Sequence, residues 1–199
     1  MKAGSSISKS QLDSACVDVQ AELSAVGLWN EDSRLTSVEC FWCYLPQITM
    51  PSAHGFFIHE CEWLDDVLGY EPGHMYIPQW VLSEGLWQNR GSLRDVVRHE
   101  YGHAVAHYYP ALIRRSQRFT SAFGERYDSE GLETNTNKPS EFVTSYALTN
   151  ASEDFAETFM MYLRYRGKLP IKFNSVAIKR KWKFIANVSK VISLGRSKW

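Results

Sequence analysis

The sequence predicts an α+β fold with a small N-terminal sheet and a helical C-terminal half. Two observations carry this. Apolar residues recur at three- and four-residue steps over 8–28, 92–109, 152–166 and 175–194, the period of a helix with one buried face. Between the first two lies a region, 38–82, of short aromatic and β-branched runs broken by Pro and Gly, which reads as strands. The chain has 199 residues, suited to one domain over 1–199 with an ordinary core.

In order, Leu12, Cys16, Val19, Leu23 and Val26 form the apolar stripe of the first helix, and Gly27 stands near its end. Val38 to Leu45 is a strand rich in aromatics and is expected to be well buried. Gly55 to Ile58 is a second strand, Cys61 to Leu68 a short helix, and Gly73 to Trp80 a third strand, whose Pro78 suits an edge position. Ser92 and Asp95 make a capping box for the helix at 92–109, and Pro110 stops it. Gly102 costs about 1 kcal/mol inside a helix, which implies a close neighbour at that point. Residues 119–150 read as a long loop. Ser152 caps the helix at 152–166, and Ile178, Trp182, Ile185, Val188 and Ile192 form the inner face of the last, basic helix at 175–194.

Charge is balanced at 22 basic and 22 acidic residues but unevenly placed. Residues 158–199 hold eleven Lys or Arg and no Asp or Glu. Such a segment is either a solvated helix that neutralises an acidic body or a patch for an acidic protein, nucleic acid or an anionic membrane. There is no apolar run long enough to span a bilayer. Met1 to Ser10 lacks the basic and apolar blocks of a secretory signal, so the expected location is cytoplasmic, with export by a signal-less route as the alternative. Cys40-x-x-Cys43 with Cys61, and His54 or His59 nearby, suggests a second metal site. A structural zinc usually has two paired ligand groups, however, and the second pair is missing, so buried free thiols are the competing reading. Oligomeric state is not encoded in any pattern we find.

The chemistry concentrates in His99-Glu100-x-x-His103. Four residues advance a helix by roughly 6 Å and about 400°, so both imidazoles leave one face and can take two corners of a zinc tetrahedron. Glu100, about 100° round the helix, can reach a metal-bound water without entering the coordination sphere. His107 shares the face but lies about 6 Å further along the axis, too far to close on the same ion. The third ligand is expected from Glu153-Asp154-x-x-Glu157, an acidic helix start in which Glu157 lies beside an apolar run. Two rival readings are a catalytically silent binding module that uses its basic C-terminal segment, and a metal-free scaffold with structural histidines.

A glutamate-bearing helix about fifty residues after His-Glu-x-x-His resembles the gluzincins. Ser145-Tyr146-Ala147-Leu148-Thr149-Asn150, running into Glu153-x-Phe155-Ala156-Glu157-x-Phe159, resembles the catalytic domain of anthrax-lethal-factor-like metallopeptidases. The resemblance covers about residues 75 to 165 and rests on these two short segments. It implies a zincin-like metallopeptidase fold, with the sheet packed on the active-site helix, and a protein or peptide substrate. It also implies one Zn2+ per chain held by His99, His103 and Glu153, with Glu100 as general base. Tyr146, seven residues before Glu153, would stabilise the oxyanion, and Glu157 would orient a metal-bound histidine. The strand before the active helix would border the cleft and offer its free edge to an extended peptide.

Overall fold

A computed structural model describes residues 7–43, 55–60, 69–79, 92–129 and 138–199. The short helix expected at Cys61 to Leu68 lies outside the described residues, as do His54 and Cys61. Five helices and three strands are described: α1 (Lys9–Ala25), β1 (Cys40–Cys43), β2 (Phe56–Phe57), β3 (Met75–Pro78), α2 (Leu93–Tyr108), α3 (Gln117–Phe123), α4 (Ala151–Arg164) and α5 (Val176–Ser193). The architecture is α+β. Among the described residues no helix is long and apolar enough to cross a membrane.

Helix α1 starts at a capping box in which the Gln11 amide donates to Ser8 Oγ and the Ser8 amide donates to Gln11 Oε1. It buries Leu12, Ala15, Val19 and Leu23. Its outer end is tied to α2 by Arg98, which is buried and donates through Nε and a terminal nitrogen to the two oxygens of Glu22, each at 2.6 Å. Asp95 holds the same guanidinium from within α2. This fixes the rotation of α2 about its axis, and with it the direction of His99 and His103.

The three strands run in the order β1-β3-β2, with β3 parallel to β1 and antiparallel to β2. β3 is therefore the central strand, contrary to the edge position expected from Pro78. Met75 and Gln79 donate to Glu39 and Cys43, so alternate amides point at β1 and position 78 faces away from that strand. A proline there costs no bond to β1. β1 is also not well buried: Phe41 is 37% and Trp42 40% exposed, because β1 lies at the sheet edge. The described part of this strand begins at Cys40 and ends at Cys43.

Helix α4 is the core element, with Phe155, Phe159 and Leu163 fully buried, and its most extensive packing is against α2. Gly102 makes that approach possible. A Cβ there would lie 2.9 Å from Ala156 Cα, so the close neighbour expected from its helical position is the backbone of α4. Asn150, not Ser152, caps α4: its Oδ1 accepts from the Glu153 amide at 2.8 Å, since the helix begins at Ala151. The stretch 119–150 is not one loop. It opens inside α3, whose Phe119 and Phe123 stack 4.6 Å apart in the core, and contains single 3-10 turns at Pro139–Glu141 and Tyr146–Leu148.

Candidate metal centre

Helix α2 brings His99 and His103 to one face, and the first turn of α4 brings Glu153 opposite them. His99 Nε2 lies 3.2 Å from His103 Nε2 and 3.1 Å from Glu153 Oε2. His103 Nε2 is 3.8 Å from the same oxygen. Zinc–nitrogen bonds of about 2.05 Å at tetrahedral angles require donors about 3.3 Å apart, so this triangle has the size of a zinc site. The three side chains are 12%, 12% and 17% exposed. Glu153 Oε2 is buried, and among the described residues its short contacts are to these two imidazoles. Two imidazole nitrogens and a carboxylate oxygen converging at these distances fit a cation.

The outer nitrogens of both imidazoles are also engaged. His99 Nδ1 is 2.8 Å from Glu157 Oε1, whose other oxygen accepts from Thr144 Oγ1 at 2.5 Å. His103 Nδ1 is 2.9 Å from the Tyr127 hydroxyl. A proton held on each Nδ1 leaves Nε2 with its lone pair, the tautomer a metal ligand needs. Burial opposes protonation of His99, but Glu153 and Glu157 outweigh it and raise its pKa to about 10. Burial likewise would raise Glu153, and the two imidazoles reverse this and hold it well below the usual carboxylate range. Glu100 is 3% exposed; burial pushes its pKa up against the pull of His99 and His103, and its Oε2 has no hydrogen-bond partner among the described residues.

Residues 88–186, just under half of the chain, match the model of a family described as "Putative zinc-binding metallo-peptidase". The match supports a zinc metallopeptidase. It spans α2, α3, α4 and the first part of α5, and so both helices that present the triad. No curated protein and no solved structure matches the chain.

Asp154, Glu153's neighbour, turns away from the His99–His103–Glu153 triangle. It is fully buried and pairs with Lys181 of α5 at 2.6 Å. His107 also stays apart, its ring 5.4 Å from Phe57 and 5.7 Å from His59. Tyr146 lies in the 3-10 turn before α4, its ring 5.9 Å from that of His99. All the expected site residues line a single cleft of about 620 Å³, with Gly55, Phe56 and Phe57 of the β2 region on one wall. Cys40 and Cys43 are free thiols away from it. Among the described residues the group of three side chains able to hold a metal is His99, His103 and Glu153.

Three contributors were not anticipated from sequence. Tyr127 fell within residues read as loop, although its four-residue spacing from Phe119 and Phe123 was a usable signal of inward direction. Thr144 carries no such signal. Gly55 packs against Glu100: a Cβ there would come within 3.0 Å of Glu100 Oε1 and 2.7 Å of Ile77 Cδ1.

Proposed function

We propose that this chain is a zinc metalloendopeptidase of the gluzincin type on a zincin-like fold, with one Zn2+ held by His99, His103 and Glu153. The observation that carries the proposal is the convergence of these three donors beside a buried Glu100 oxygen in one cleft, an oxygen without a hydrogen-bond partner among the described residues. A structural site is closed by four protein ligands, whereas three leave a position for substrate.

When bound, zinc supplies a Lewis acid and lowers the pKa of water to about 7. The chain's residues supply the rest. Glu100 takes the proton of the attacking water on its carboxylate and passes it to the leaving amine. Its raised pKa suits both halves of that transfer. The Tyr146 hydroxyl donates to the developing oxyanion. Glu157, fixed by Thr144, and Tyr127 hold the two imidazoles in register, so little reorganisation accompanies reaction. A protein or peptide substrate meets β2 as the strand of the cleft wall, since β3 is covered on both sides. The resemblance to lethal-factor-like peptidases rests on the segments around Tyr146 and Glu153.

The test compares wild type with Glu100→Gln in a peptide-library digest, with zinc counted by mass spectrometry on gently purified protein. The expected result is one zinc in both and a loss of cleavage of about 10²–10⁴ in the variant. Turnover that survives the substitution removes Glu100 from its role. A metal count near zero returns the histidines to a structural one.

A further inference from the structure

None of the basic side chains of the C-terminal segment lines the cleft. Of the eleven basic side chains in residues 158–199 ten are exposed, Lys181 alone being buried, and no acidic residue lies among them. Three large apolar side chains are exposed among them, Leu194 near the end of the segment and, close together in sequence, Ile171 at 96% and Val176 at 81% exposure.

The placement of Ile171 and Val176 is set by backbone turns and hydrogen bonds. The chain leaves α4 through a tight reversal with Arg166 at φ 50° and Gly167 at φ 76°. Trp182 of α5 clamps that reversal by donating from Nε1 to the Gly167 carbonyl at 2.9 Å. The Phe173 amide then bonds to the Pro170 carbonyl at 3.0 Å, closing a turn with Ile171 and Lys172 at its corners and Phe173 tucked beneath. Val176 opens α5, and Lys179 and Lys183 follow it at helical spacing on the same outer face. The result is two apolar side chains flanked by Lys168, Lys172, Lys179 and Lys183.

We propose that this tip docks on an anionic lipid surface, the lysines resting on the headgroups and Ile171 and Val176 entering the acyl boundary. A basic surface alone would equally suit nucleic acid, but the apolar pair argues otherwise. Single-stranded nucleic acid is gripped by exposed aromatic faces. Here Phe173 and Trp182 are 7% and 5% exposed, and what projects is aliphatic. Cations set beside aliphatic anchors are the composition of an interfacial membrane contact. The geometry leaves the cleft free, because Arg164 ends α4 about 16 Å along the helix axis from Glu153.

The experiment is co-sedimentation of the full chain with phosphatidylcholine vesicles, with and without phosphatidylserine, at low and high salt, beside a titration with single- and double-stranded oligonucleotides. Binding is expected only with phosphatidylserine and should weaken with salt. Ile171→Asn with Val176→Asn should lower partitioning about tenfold. Each of Lys172→Gln and Lys179→Gln should lower it about fivefold. Zinc content and cleavage should stay at wild-type level in all of these variants, which shows that they fold. No preference for phosphatidylserine, or partitioning unchanged by the apolar pair, overturns the proposal. So does binding to oligonucleotides tighter than to vesicles.

Discussion

Gly102→Ala tests whether the spacing of two helices sets the metal site. The added methyl would lie 2.9 Å from Ala156 Cα, 3.3 Å from its Cβ and 3.5 Å from its carbonyl oxygen. Carbon atoms in contact need about 3.5–4.0 Å, so α2 and α4 must separate by roughly 0.6 Å or more. Backbone cannot swing aside as a side chain can. Such overpacking costs about 1–3 kcal/mol, partly offset by the gain of about 1 kcal/mol for alanine over glycine in a helix. The larger effect falls on metal binding. Gly102 adjoins His103, and Ala156 is one turn from Glu153, so the separation opens the donor triangle directly. Ligand distances tolerate about 0.2 Å, and the shift is some three times that. Zinc affinity should fall on the order of tenfold or more while the chain stays folded. The assay is a competition titration with a chromophoric chelator, paired with thermal unfolding of the metal-free protein. Wild-type zinc affinity together with a Tm raised by the full helix-propensity gain, about 2–4 °C, would refute the reasoning.

Glu157→Gln and Tyr127→Phe each remove a hold on an imidazole of the proposed metal site, and each should lower zinc affinity about 10- to 100-fold by the same titration. Unchanged affinity would make either contact incidental. Lys181→Met strands Asp154, a fully buried carboxylate, and should cost about 3–5 kcal/mol in urea unfolding, while the double change Asp154→Leu with Lys181→Met should recover most of it. A single variant as stable as wild type would mean that the pair is not buried in solution. Stability of the metal-free protein should depend on pH through His99. Its folded pKa of about 10 exceeds the ordinary imidazole value of 6.5, so this stabilisation is complete below about pH 6.5 and is lost as pH rises through 10. Zinc-loaded protein, its imidazoles already deprotonated at Nε2, should show no such loss. Tm measured with and without chelator across that window checks the difference.

What the sequence by itself determined was carried by contacts within one helical turn. His99, Glu100 and His103 could be read because a single helix fixes their relative positions. The cap of α2 and the apolar stripes were legible for the same reason. The periodicity also located the second helix of the site, though its cap is Asn150 and not Ser152.

The tertiary structure decided what depends on pairing between distant segments. Glu153 and Asp154 stand together in sequence and were equally plausible as an acidic first turn. A rotation of about 100° sends one to the imidazoles and the other to Lys181, and only the packing of α4 between α2 and α5 chooses which. Lys181 looked like one more charge on a solvated helix for the same reason. The strand order was hidden too, because hydrophobic pattern records burial and not the identity of a neighbour: β3 became central and β2 took the cleft wall. Periodicity reports which side of an element faces inward, whereas what it faces is set by chain segments tens of residues away.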